Sequence, residues 1–146
     1  MWEGISGKSE KDWIKYIAWS NIYKVAPDEV SGSKDTGNPT NAMCKKQIEV
    51  CRKILKKEID IYNPTHILFI TGFDGWFNDV KGVYGVSEIF TNISKTGNRN
   101  KCRGEFKNEI YVEETASYNN AKVVIACRPE RRNEDKYVEE VLKAFK

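Results

Sequence analysis

Apolar residues Ile48, Cys51, Leu55, Ile59 and Tyr62 recur at spacings of three and four, while Lys45, Glu49, Lys53 and Lys56 fall elsewhere. That period predicts an amphipathic helix with one buried stripe. Asn38-Pro39, an N-cap type residue followed by proline, predicts its start. Asn63-Pro64 predicts its end, because the residue before a proline avoids helical backbone angles. From His66 to Thr71 the chain is apolar without alternation and closes on Gly72, the pattern of a central strand covered on both faces. Ile110–Glu113 and Lys122–Cys127 are predicted as two further strands, with a turn at Ser117–Asn120 between them. Asn133 is the predicted cap of a last helix whose apolar face is Tyr137, Val138, Val141, Leu142 and Phe145.

The remaining segments carry weaker patterns. Asp12–Tyr16 has a short helical pattern, and Ile17–Tyr23 is predicted extended because aromatic and β-branched residues dominate it. Pro27–Asn38 is rich in Gly, Ser, Asp and Lys and is predicted as a loop. Between Phe73 and Gly104 the aromatics Phe73, Trp76, Phe77, Tyr84 and Phe90 are scattered among Gly and Asn, with short helical turns expected near Asp74–Val80 and Val86–Phe90.

The resulting order is strand, helix, strand, irregular region, strand, strand, helix. It predicts a three-layer α/β/α domain with a small, mostly parallel central sheet. At 146 residues the chain is the size of one such domain. No apolar stretch reaches the roughly 18 to 20 residues needed to span a bilayer, and Met1-Trp2-Glu3-Gly4 lacks a secretory signal. A cytoplasmic protein is expected. Cys51 and Cys127 fall on apolar segments and are expected to be buried thiols, whereas the pattern leaves Cys44 and Cys102 undecided. With no C-x-x-C pair and a single histidine, neither a metal nor another cofactor is implied.

The net charge of +3 does not by itself point to nucleic acid. Its distribution is more informative. Lys95, Arg99, Lys101 and Arg103 share one Gly/Asn-rich stretch, and Arg128, Arg131 and Arg132 follow the last strand. In open α/β sheets, ligands bind beyond the carboxyl ends of the strands. Those ends are expected at Asn21–Lys24, Thr71–Asp74 and Arg128–Arg132.

Three segments, in this order, resemble the uracil-DNA glycosylase superfamily over roughly Ile17–Lys146. Trp19-Ser20-Asn21-Ile22-Tyr23-Lys24 is similar to the family's strand ending in asparagine and lysine. The helix running into Pro64 and the strand from His66 to Gly72 resemble its next two elements. Lys101-Cys102-Arg103-Gly104, later strands, and Val123–Cys127 running into Arg128-Pro129-Glu130-Arg131 resemble its last core strand and the loop that usually carries histidine-proline-serine. The resemblance implies base binding by Asn21, Tyr23, Arg128 and Pro129, with an amide at Asn21 offering donor and acceptor to an extruded base. It places Lys24, Lys101, Arg103, Arg131 and Arg132 against phosphates. DNA, single-stranded or uracil-containing, is the implied partner, with a protein partner as the alternative, and a monomer is expected. The plainer reading of Asn21 is a turn at a strand end.

Two departures set this chain apart from the family. Met1–Tyr16 holds no equivalent of the water-activating motif, leaving Asp12, Asp28 and Asp74 as the nearby acids, and no catalytic residue is assigned. Arg128 stands where the family has histidine; a permanently charged guanidinium is no general acid near neutral pH, though it can stabilise an anionic oxygen. Three functions therefore follow in order: a nucleic-acid or nucleobase binder with degenerate catalytic motifs, a protein-interaction or scaffold domain, and an active base-excising glycosylase with an unusual loop. His66, at the start of its strand, lies at the wrong end of the sheet for catalysis. Asp74 and Asp79 near Trp76 fit a carboxylate site or a surface turn equally well. Tyr23, Trp76 and Phe77 are expected in the core rather than stacked on a base.

Overall fold

The computed structural model describes residues 15–25, 41–74, 76–78, 85–94, 109–130 and 132–146. Its elements are α1 (Asn41–Tyr62), β1 (His66–Phe69), a 3-10 turn (Ser87–Ile89), β2 (Val112–Tyr118), β3 (Ala121–Ala126) and α2 (Glu134–Phe145). The predicted start of the first helix at Asn38-Pro39, the Pro27–Asn38 loop, Asp79 and Cys102 lie outside the described residues. Among the described residues, no helix is long and apolar enough to cross a membrane.

The fold is α/β, with β3 central in a three-stranded sheet of order β1-β3-β2. β1 runs parallel to β3, and β2 antiparallel to it. The sheet is thus mixed, where a mostly parallel one was expected. The cause is the short turn at Asn119–Asn120, which returns the chain directly as a hairpin. Asn119 takes the positive φ of 49° that this reversal requires, a conformation asparagine tolerates. β2 runs on to Tyr118, so the turn is shorter than the predicted Ser117–Asn120.

Alternation along the strands divides the core into two layers. Ile67, Phe69, Val123 and Ile125 face the larger cluster with Ile48, Cys51, Leu55 and Ile59 of α1. Leu68, Val124 and Ala126 face the opposite cluster with Tyr137, Val141 and Phe145 of α2. One helix therefore covers each face, as a run as apolar as β1 requires. Tyr62, expected on the buried stripe, is the last residue of α1 and is exposed. Cys44 joins Cys51 and Cys127 as a buried free thiol. Burial pushes the Cys44 thiol above its usual value, partly offset by a hydrogen bond with Tyr23.

The segment without periodicity supplies much of the larger core. Phe73, Phe77, Val86 and Phe90 are buried, and Phe77 is wholly so at 0% exposure. Phe77 meets Phe69, Phe73 and Phe90 with ring centroids 5.1, 5.5 and 5.3 Å apart. The carbonyl of Phe77 accepts from the backbone of Val86 and Ser87, both at 2.8 Å. Arg52 of α1 holds the same segment by donating to the Gly85 carbonyl at 2.8 Å. Thr91 and Ser94 pair with the outer side of β2 through Ser117 and Thr115, covering an edge that would otherwise be open.

Residues 17–23, predicted as an extended strand, form no strand. Ile22 and Tyr23 are nevertheless buried against the α1 side of the core. Aromatic and β-branched content measures suitability for a half-buried surface, and an irregular segment packed on a helix satisfies it as well as a strand does.

The final helix forms where expected, with Tyr137, Val141 and Phe145 buried and Val138 and Leu142 of the expected apolar face only partly so. Asn133 accepts from the Lys136 amide at 2.9 Å, and Glu134 and Asp135 occupy the positive end of the helix. At its other end, Lys122 of β3 donates to the carbonyls of Phe145 and Lys146 at 3.0 and 2.6 Å.

Candidate functional site

Because β1 and β3 are parallel, their carboxyl ends open on one rim. Gly72 N donates to Ala126 O at 2.8 Å, which continues the pairing and lays Thr71–Asp74 beside the start of the Cys127–Glu130 loop. Gly72 has φ +71°, and a Cβ there would stand 3.1 Å from Glu113 Oε1. Both the backbone angle and the close approach call for glycine.

Glu113 sits where the β2 register shifts between Val112 and Glu114. The bulge brings two consecutive acids under cover, whereas strict alternation would expose one of them. Glu113 Oε2 accepts from Phe73 N at 2.7 Å. Glu114 Oε2 accepts from Ser94 Oγ at 3.0 Å, and that hydroxyl in turn accepts from Thr115 N at 3.1 Å. Each carboxylate thus joins β2 to a neighbouring irregular segment through a charge-assisted hydrogen bond. Nothing in the helical or strand periodicity marked these two residues. The available signal was a pair of acids interrupting an otherwise strand-like run from Ile110 to Tyr118.

Beyond β3, the loop is fastened from three directions. Tyr137 donates its hydroxyl to Cys127 O at 2.8 Å, and burial raises that phenol's pKa, so it stays a neutral donor. Cys127 N donates to Tyr111 O at 2.9 Å. Arg132 donates to the carbonyls of Arg128 and Ile110 at 3.0 and 2.7 Å, and its guanidinium lies 5.8 Å from the centre of the Tyr111 ring. Within this frame Arg128, Pro129 and Glu130 are exposed.

The expected site residues thus fall into distinct settings. Arg128 and Pro129 stand exposed on the rim. Arg132 lies in the same loop, but its donors bind the chain itself. Tyr23 is buried, with its ring edge-on to Trp76 at 5.2 Å, and Phe77 is core, as expected of these aromatics. Lys24 donates to Glu58 Oε2 at 2.7 Å and to Ser20 Oγ at 2.5 Å. Partial burial opposes charge on Glu58, but the hydrogen bonds from Lys24 and Ser20 hold its pKa below the usual carboxylate range. Asn21 is exposed in this segment along α1, not at the end of a sheet strand. Lys101, Arg103 and Arg131, together with Lys95, Arg99, Asp12 and Asp28, lie outside the described residues. Asp74 is half-buried on the rim, and its backbone bridges to Asn78.

His66 is at the amino end of β1, away from the rim, with Nδ1 2.8 Å from Thr65 Oγ1 and its ring edge-on to Phe145 at 5.1 Å. Burial, aided by the nearby Lys122 ammonium, lowers its pKa. An open groove of about 290 Å³ lies between Tyr111 and Val112 on one side and Glu140 and Lys143 on the other. Neither Asn21 nor Arg128 lines it.

No family model, curated protein or solved structure matches this chain. Chemically, among the described residues the rim offers the exposed Arg128 guanidinium on a braced loop, suited to a phosphate, a carboxylate or an anionic carbonyl oxygen.

Proposed function

We propose that the chain is a nucleic-acid- or nucleobase-binding domain related to the uracil-DNA glycosylases, with degenerate catalytic motifs. The observation that carries this reading is the placement of Arg128. It projects from the carboxyl end of the central strand on a loop held by Arg132 and Tyr137, beside the Gly72–Asp74 end of the parallel neighbour. A cation carried on a backbone already held at such a rim gains affinity because less loop ordering is left for the ligand to impose. The braced loop suits binding more readily than hydrolysis, since its polar anchors are already engaged with the chain.

The test is binding of labelled single-stranded DNA, with and without uracil, by wild type, Asn21→Ala and Arg128→Ala, with the same samples scored for abasic product. Weaker binding by Arg128→Ala is expected, and a uracil preference lost in Asn21→Ala would assign base reading to that amide. Abasic product would favour an active glycosylase. Absence of binding at low salt rejects the nucleic-acid reading.

A second reading, a protein-interaction domain, has its own observation in favour of it: large apolar residues, Trp19 among them, stand exposed along and beside α1.

A further inference from the structure

The outward side of α1 carries a pattern that the core does not use. Val50, Ile54 and Ile61 are separated by four and seven residues and therefore form one line along the helix. They are 56%, 38% and 69% exposed. Lone exposed aliphatics are ordinary, whereas an ordered line of them is a surface.

The irregular segment before the helix widens this line. Gln47 grips the backbone of Val25 from both sides, accepting from its N at 3.2 Å and donating to its O at 3.0 Å. Ser20 donates to Glu58 Oε2 at 2.8 Å. Gln47 precedes Val50 by three residues, and Glu58 lies between Ile54 and Ile61 at four and three. The gripped segment therefore borders the apolar line, and it presents Trp19 at 79% exposure.

The opposite border is basic. Lys46, Lys53 and Lys57, spaced seven and four apart, form a parallel row of exposed cations. Nearby acids do not cancel them: Glu49 pairs with Arg52 at 2.8 Å and Asp60 with Lys56 at 2.7 Å. Among the described residues, none of the three lysines makes a salt bridge.

We propose that this face docks an amphipathic, acidic helix of a partner protein, with aliphatic side chains on the Val50-Ile54-Ile61 line and carboxylates against Lys46, Lys53 and Lys57. A helix laid beside α1 matches both rows at once, meeting aliphatics at i, i+4 and i+11 and lysines at i, i+7 and i+11 along the same helix. Nucleic acid would use the lysines but gain little from a line of aliphatics, which offer no stacking surface. A second copy of this chain would bring the same lysines to the interface. The proposal concerns a face of α1 and is independent of the Arg128 reading.

The probe is a synthetic twenty-residue peptide of helical pattern, with leucines at i, i+4 and i+7 and glutamates on one flank. Its control carries lysine for every glutamate. The amide and methyl resonances of Val50, Ile54 and Ile61, and the indole N–H resonance of Trp19, are expected to shift with the acidic peptide and not with the basic one. Ile54→Asp should weaken binding at least tenfold, and Lys53→Glu with Lys57→Glu should exchange the preference from the acidic to the basic peptide. Because these side chains are exposed, the variants should keep the wild-type melting temperature, which separates lost docking from lost folding. Equal binding of both peptides overturns the proposal, as do shifts confined to another face. Concentration-dependent dimerisation abolished by Ile54→Asp, or protection of the same residues by anionic phospholipid vesicles but not by the peptide, also overturns it and assigns the face to those partners.

Discussion

Phe73 N donates to Glu113 Oε2 across 2.7 Å, joining the chain that leaves β1 to the bulge of β2. The rim at the strand ends owes its shape to this bond and to the close approach of Gly72. Glu113→Ala removes the acceptor from a buried amide and is expected to cost about 1–3 kcal/mol. Glu113→Gln, which retains an acceptor oxygen, should cost less. Urea unfolding of both variants compares them, and equal losses would show that the carboxylate's charge contributes nothing beyond its shape.

Gly72→Ala should destabilise on its own account. The left-handed backbone costs a residue with a Cβ about 1–2 kcal/mol, and the methyl would press on the Glu113 carboxylate. In a double-mutant cycle the two substitutions should be non-additive, because Glu113→Ala opens the space that the methyl needs. Strict additivity would place the strain in the backbone alone.

Phe77→Ala should be among the most damaging single changes, at about 3–5 kcal/mol, because it empties the centre of an aromatic cluster. The side chain is wholly buried between Phe69, Phe73 and Phe90. Calorimetric or denaturant unfolding measures the loss. A change below about 1 kcal/mol would be that of an ordinary surface site and would contradict this packing.

His66 has a folded pKa below its ordinary value of 6.5, first from burial and then from Lys122. Between the two values the folded chain binds fewer protons than the unfolded chain, so stability rises with pH there. This contribution is complete above about pH 6.5 and is lost as the pH falls through the folded value. Proton NMR titration of the ring should give a midpoint below 6.5, and His66→Phe should remove this component of the pH dependence. A midpoint at or above 6.5 would contradict the placement.

The parts of this fold legible from sequence are those in which a period coincides with a packing face. The α1 stripe, the apolar β1 and β3 and the Asn133-capped α2 all have that property, whereas β2, at Val112–Tyr118, shares only Val112 and Glu113 with the strand expected at Ile110–Glu113. At Tyr62, the last residue of α1, the pattern overstates burial. Phe73, Phe77 and Phe90 pack without regular structure and left no repeat to read. The candidate site was legible only in part, since partners distant in sequence decide it. Lys24 reads as a cation at a strand end until Glu58, 34 residues away, is seen to accept from it. Arg132 reads as a phosphate ligand, yet carbonyls at Ile110 and Arg128 take its donors. Arg128 itself stands exposed just beyond the end of β3, the strand end expected at Arg128–Arg132.

The most direct test of the proposed binding rim is the salt dependence of single-stranded DNA affinity for wild type and Arg128→Ala. Each cation on a phosphate releases counterions, so its loss lowers the log–log salt slope by roughly 0.7 for single strands. The account predicts weaker binding by Arg128→Ala and a slope shallower by about that amount, consistent with one lost phosphate contact. Identical affinity and slope for the two proteins would contradict it.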